Sequence, residues 1–550
     1  MGERNEIAEE RIAIRRAFIS AHDKTGLARF ACFLAERGIV LYATEGTASF
    51  LQSASVHARP ASELTGFIEL LSGKVKSLSP RLHAGILFSR AGSEERAQIE
   101  NAGIVPIDMV IVNFYPFRDV TDATPLAEAT KMIDIGGPAA LRAAAKNFRW
   151  VVPVPEPASY DKVMGEMQKW ETSTRAREPS VSLQVSLELA ARTFQITSDY
   201  ERMIGDYLSR KLTSAPCHLE RVPGVSGSFA GVLSPFAERI CLSLRKLQDL
   251  RYGENPHQAA SVYVGDEGLW GRQLQGKELS FNNLLDLDAA VSACREFEVP
   301  GCVIIKHRSP CGASRSDNLL DAYILARDCD PLSAFGGVVA VNRPVTEPVA
   351  AEMSKLFLEL VVAPSYEPDA LKVLSGKKNL RLMELTSDAL AREGISRRLL
   401  RSGPGGVLLQ EEDSRAESIS DWKLVSKRAA RAEEREGLFF LWKVARHVVS
   451  NGIVIGRGDR TLGIGAGQTS RVDAVEVALM KARRAGHDAR GAWLASDGFF
   501  PFRDSIDAAA KAGIRAIVEP GGSIRDEECI MAADEHDMVM YFTGRRCFKH

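Results

Sequence analysis

The stretch CVIIKHRSPCG (302–312) decides the fold. Cys302 to Ile305 form a short apolar run of the kind that builds a buried strand. Lys306-His307 ends that run, and Pro310-Cys311-Gly312 reads as the turn that follows. Similar runs recur downstream: GGVVAVN, LELVVAP, GGVLLQ, GIVIG, AWLAS, IRAIVEP and MVMYFTG. Helical patterns over 432–449, over 471–485 and from near Ser523 separate several of them. The N-terminal part alternates in the same way. AIRRAFIS reads as a strand, 25–37 as a helix closed by Gly38, and IVLYAT and DMVIVNF as further strands. IGGPAALRAAAKN then opens a helix, with Pro138 suited to its first position. Such alternation predicts α/β architecture, a mostly parallel sheet covered on both faces. A helical stretch near 183–210 precedes a Gly-, Pro- and Ser-rich segment. This predicts domains at 1–212 and 236–550, joined by a linker at 213–235, with two α/β units in tandem in the second.

Composition narrows the function. Lys plus Arg (70) nearly balance Asp plus Glu (71) in 550 residues, so no global charge points to nucleic acid or membrane. The charged N-terminus carries no apolar signal segment, and no run approaches the ~18–20 apolar residues of a membrane span. Nine scattered cysteines without a CxxC pair argue against a disulfide framework or structural zinc. A cytoplasmic protein is the expectation. GIGAG (463–467) lacks the spacing of a dinucleotide fingerprint.

Five polar, Gly-punctuated segments are site builders rather than core: RYGENPHQ (251–258), QGKELSFNN (275–283), KHRSPCG (306–312), SAFGG (333–337) and SDGFFPFRD (496–504). In this order they resemble the transformylase half of the bifunctional AICAR transformylase/IMP cyclohydrolase family. HDKTG (22–26), SELTGF (62–67), GKVKSLSPRLHAGIL (73–87), NFYPF (113–117) and DIGGPAALRAAAKN (134–147) resemble its cyclohydrolase half. The resemblance implies a methylglyoxal-synthase-like, doubly wound N-terminal domain and a tandem cytidine-deaminase-like transformylase region. It also implies a homodimer and 10-formyltetrahydrofolate as co-substrate. The zinc ligands of a deaminase are missing, because Gly312-Ala313 follow Pro310-Cys311, and no catalytic metal is expected.

Taken alone, Lys306-His307 is an ordinary exposed strand end. The resemblance makes His307 the base for formyl transfer and Lys306 the cation facing the oxyanion, with Asn451 beside them. Arg251, Tyr252, Phe335, Gly336, Arg546, Phe548 and His550 are implied to hold nucleotide or its surroundings. Phe499, Phe500 and Pro501 are implied to wall the folate ring.

In the cyclohydrolase half the implied catalytic residues are Lys76, Tyr115, Asp134 and Lys146, with Asp134 and Lys146 as an acid–base couple. Ser20, Lys24, Thr44, Gly46, Thr47, Lys74, Ser77 and Asn113 are implied to bind substrate. Gly136 and Gly137 are expected to offer free backbone N–H groups to an anion. This sequence departs from the family's pattern at Glu45 in the phosphate loop, at Lys74, at Ser79 and at His22. At ~4 Å and an effective dielectric of ~20, a carboxylate facing phosphate costs on the order of 4 kcal/mol per unit charge. Glu45 is also strained if its position requires positive φ. Two readings therefore stand: a bifunctional enzyme, or a transformylase with an impaired N-terminal domain. A non-catalytic nucleotide-binding protein is a third, and the base at His307 argues against it.

Overall fold

The computed structural model describes residues 10–67, 75–174, 178–214, 240, 242, 244–265, 271–385, 398–413 and 418–550. Its contacts divide the chain into Met1–Ser243 and Leu244–His550. The expected linker, beyond residues 213 and 214, lies outside the described residues.

In the first unit Ala17, Phe18 and Ile19 are fully buried in the strand Arg16–Ala21. A strand buried on both faces needs parallel neighbours with helices above and below. It pairs in parallel with Val40–Ala43 and Met109–Asn113. Among the described residues the sheet has five parallel strands, ordered Arg59–Pro60, Val40–Ala43, Arg16–Ala21, Met109–Asn113, Val152–Val154. The helix expected over 25–37 runs Leu27–Glu36, with Gly26 and Gly38 left-handed at its two ends. The next expected helix begins at Gly136, which makes Pro138 its third residue rather than its first. The long helix Leu183–Ser214 completes the unit.

The second unit is built as the two α/β units in tandem that the sequence predicted, with the same element order in each. The first half runs Phe281–Cys294 (helix), the hairpin Gly301–Lys306 and Ser309–Arg315, then the helix Leu319–Cys329. Strands Val338–Val341, Leu360–Ala363 and Arg381–Leu385 follow, separated by helices. The second half repeats this order with the helix Ala432–Ala445, the hairpin Ile453–Arg457 and Arg460–Gly465, and the helix Arg471–Arg484. Strands Trp493–Ser496, Ala516–Glu519 and Val539–Phe542 end it. The two hairpins meet along one antiparallel seam, where Ser314 pairs with Arg460 and Ala313 N–H donates to Thr461 Oγ1 at 2.9 Å. One twelve-stranded sheet results among the described residues. It is mixed: each hairpin brings antiparallel pairs, the strands between hairpin and edge run parallel, and an antiparallel strand, Gly271–Gln275 or Lys423–Leu424, closes each end.

The expected Pro-Cys-Gly turn is not a turn. Pro310 to Gly312 lie inside the strand Ser309–Arg315, and His307-Arg308 turn the chain. Gly312 instead admits the following helix, since a Cβ there would sit 1.9 Å from the Ala326 carbonyl oxygen. Gly463 plays the same part in the second half, with 2.2 Å to the Ala478 carbonyl oxygen. Two further hairpins were missed: Arg245–Leu250 with Ala260–Val264, around RYGENPHQ, and Arg398–Gly403 with Gly406–Glu411.

Candidate active sites

Lys306 pairs with Ser309, so His307 and Arg308 alone make the hairpin turn. Both are left-handed, at φ +53° and +66°. Such a turn matches the twist of its strands, but it favours Asn-Gly. For His and Arg the conformation costs roughly 1–2 kcal/mol each. The counterpart turn in the second half, between Arg457 and Arg460, uses Gly458, at φ +60°, followed by Asp459. Backbone strain of this kind gathers where a side chain must be aimed. Asp286, on the helix Phe281–Cys294, accepts the Arg308 N–H through Oδ1 at 2.6 Å. Burial raises the Asp286 pKa, opposed by the Arg308 and His307 amides and the nearby His307 charge.

Lys306 Nζ donates to the Phe335 carbonyl at 2.5 Å, and a Cβ on Gly336 would lie 3.8 Å from that Nζ. Lys306, Phe335 and Gly336 are thus brought together. Arg251 and Tyr252 open the loop after Arg245–Leu250, the guanidinium 5.2 Å from the Tyr252 ring. Gly253 N–H to the Gln258 carbonyl (2.7 Å) closes the loop, and Asn282 Nδ2 to the Glu254 carbonyl (3.3 Å) ties it to the helix that carries Asp286.

Asn451 lines a separate cavity of about 460 Å³ with Arg471, Phe499, Pro501, Asp504 and Phe548. Neither Lys306 nor His307 is among its lining residues. The hairpin reaches the Asn451 segment through Val449 N–H, which donates to Ser309 Oγ at 3.4 Å. Asn451 Nδ2 donates to the Gln468 carbonyl at 2.9 Å, which fixes the amide. Phe500 does not wall this cavity. It is fully buried in the core with Ile453, Leu494 and Ile517, and only Phe499 of the pair faces out.

The C-terminal segment, which sequence alone would leave frayed, is pinned. Cys547 N–H donates to the Asp497 carbonyl at 3.0 Å, and Ser450 N–H to the Lys549 carbonyl at 2.9 Å. Between these bonds Phe548 stands with Arg471 and Arg546 5.9 and 5.1 Å from its ring centroid, and His550 6.0 Å away. Of the cavity's lining residues, Arg471 lies outside every segment singled out in the sequence, whereas Asp504 ends SDGFFPFRD. Arg471 opens a helix, where a cation opposes the macrodipole, and that misfit was the signal. Its guanidinium is held by buried Asp497 and Ser496.

In the first unit the predicted residues gather at the carboxyl ends of three strands, where α/β sheets bind ligands. Thr44 Oγ1 lies 3.3 Å from Ser20 Oγ, and Ala21 N–H donates to Thr47 Oγ1 at 3.2 Å. Gly46, between the two threonines, has open space where a Cβ would stand. Glu45 opens the helix Glu45–Ser53, exposed and without positive φ, so the anticipated strain is absent. Asn113 Oδ1 accepts the N–H groups of His22 and Asp23, both at 2.8 Å, and shapes the loop that bears Lys24. Tyr115 is partly exposed, 5.0 Å from the His22 ring.

Asp134 lies close to several of the other predicted residues. Burial raises its pKa, opposed by the Gly137 and Gly136 amides and by the charges of Lys76 and His22. The Gly137 N–H donates to Asp134 Oδ1 at 3.0 Å. The two glycine amides expected to be free for an anion are therefore turned to Asp134. Both positions also exclude side chains, as a Cβ would meet Ser77 Oγ at 2.4 Å on Gly136 and Asp134 Oδ2 at 2.6 Å on Gly137. Lys146 is not Asp134's partner. It ends the helix that Gly136 begins, ~15 Å away at 1.5 Å per residue. Ser79 is buried and donates to the Thr65 carbonyl at 3.1 Å, a structural role. Lys74 lies outside the described residues.

A doubly wound parallel domain followed by a duplicated α/β unit, each with its own polar site, defines a two-site enzyme. A model of the MGS-like domain matches residues 26–139, and that of the AICARFT/IMPCHase bienzyme matches residues 144–481. Proteins called bifunctional purine biosynthesis protein PurH are similar throughout. The one from Magnetococcus marinus is 44% identical, covering 98% of this chain and 99% of its own. Those from Desulfitobacterium hafniense and Acetivibrio thermocellus are 44% and 41% identical, over 98% of this chain and all of theirs. The chain belongs to the AICARFT/IMPCHase bienzyme family, and it is a formyltransferase and a cyclohydrolase of purine biosynthesis.

Proposed function

We propose that His307 and Lys306 carry formyl transfer from 10-formyltetrahydrofolate to the 5-amino group of AICAR, and that Asp134, Lys76 and Tyr115 carry ring closure to IMP. The observation that supports the first assignment is the strained turn that aims His307 beside Lys306. The amine of AICAR is a poor nucleophile, its lone pair delocalised into the ring and carboxamide. As it attacks the formyl carbon, His307 takes its proton. Lys306 stabilises the oxyanion of the tetrahedral intermediate. Collapse breaks the bond to the folate nitrogen, which leaves with the proton that His307 returns.

In ring closure the carboxamide nitrogen attacks the formyl carbon of the same molecule and water departs. Positioning therefore supplies much of the rate. Asp134 receives the nitrogen's proton, while Lys76 and Tyr115 polarise the formyl oxygen. The working form is a cytoplasmic homodimer, as the family resemblance implies. The test supplies formyl-AICAR without folate and follows IMP. Ring closure lost in Lys76→Ala but kept in Lys306→Ala is the expected result. No IMP from the unaltered protein, with formyl transfer intact, would leave a transformylase with an impaired first unit.

A further inference from the structure

We infer that Asp286 is the positioning residue that holds His307 in its working geometry, an inference that rests on the formyl-transfer reading above. The turn His307-Arg308 has no glycine to relieve two left-handed residues. The sister hairpin has one left-handed residue, Gly458, and Asp459 beside it is not left-handed. The first half has two and no glycine, and there the Asp286 carboxylate braces the turn at Arg308. Its Oδ1 receives the Arg308 N–H at 2.6 Å, a charge-assisted bond roughly twice as strong as a neutral one.

The platform behind Asp286 is itself fixed. Ser280 and Asn283 form a reciprocal capping box at the start of the helix, with bonds of 3.1 Å each way. Asn282 ties the same helix turn to the loop that bears Arg251 and Tyr252. Carboxylate, helix and loop thus form one support, and His307 is aimed from it. Without the carboxylate, the turn relaxes toward right-handed backbone and carries the imidazole off its line.

The test measures formyl transfer in Asp286→Ala, in Asp286→Ala/Arg308→Gly and in His307→Ala, with the denaturant unfolding midpoint of the second unit as the control for folding. Asp286→Ala is expected to lower kcat about 100-fold, the cost of a misplacement near 1 Å, with the KM for AICAR within about threefold. Glycine at 308 takes positive φ freely, so the double variant is expected to recover about tenfold or more. Asp286→Asn keeps an acceptor oxygen and the side chain's size. It gives the same comparison, with and without Arg308→Gly, if the alanine variant does not fold. Turnover within about threefold of the unaltered protein in Asp286→Ala, or no recovery with glycine at 308, overturns the inference. Near-normal turnover in His307→Ala would instead overturn the formyl-transfer reading itself.

Discussion

Glu519 ends an interior strand of the second unit, wholly buried, and burial pushes its carboxyl up to about 8. Its Oε2 accepts the Gly521 N–H at 2.8 Å, and Arg471 acts on it weakly from the neighbouring cavity. In the unfolded chain the same group ionises near 4.3. Because the folded value is the higher one, Glu519 lends its stability below about 4.3 and loses it as pH rises toward and through about 8. Glu519→Gln removes that dependence and keeps an acceptor for Gly521. Denaturant midpoints of the two proteins are expected to agree near pH 5 and to separate by pH 8. The glutamine variant should then be the more stable, by on the order of 2–4 kcal/mol. Parallel curves would mean that Glu519 ionises freely in the fold.

The hairpin packed under a helix recurs in both halves, and glycine makes the contact possible. Valine at Gly463 would drive a Cβ to 2.2 Å from the Ala478 carbonyl, against helix backbone that cannot yield cheaply. Gly463→Val is expected to destabilise the second unit by about 2–3 kcal/mol, read as a lowered unfolding midpoint. An unchanged midpoint would mean that the helix Arg471–Arg484 can slide. Strands such as Gly301–Lys306 could be read from their apolar runs and the loops SAFGG and SDGFFPFRD from their polar, Gly-punctuated composition, while Phe335, Gly336 and Phe499 within them came from the family resemblance. The tandem of two units was expected, but which segments correspond could not be read, because the halves share topology and few letters. CVIIKHRSPCG and GIVIGRGDRTLGIG occupy equivalent hairpins. The Asp134–Lys146 couple failed because twelve residues of sequence became a straight helix rather than a fold-back. Asp286 gave no local signal, since its role is set by an amide 22 residues away.

Each half of the large sheet is drawn from one continuous stretch of chain, and among the described residues the seam is the one strand pairing between them. The homodimer proposed above is expected to give twice the chain mass in light scattering at assay concentration. A monomer that retains full formyl transfer would remove the need for a second copy.

The seam also sets a timetable for synthesis. Ser309–Arg315 leaves the ribosome 145 residues ahead of Arg460, the first residue of its partner strand (460 minus 315). At ~5–20 residues per second the wait is about 7–30 s. Throughout it the first half carries an unpaired strand edge of the kind that recruits other chains. Pro310 removes one backbone donor from that strand. The residue that looked like a turn signal thus lies inside the strand that waits for its partner.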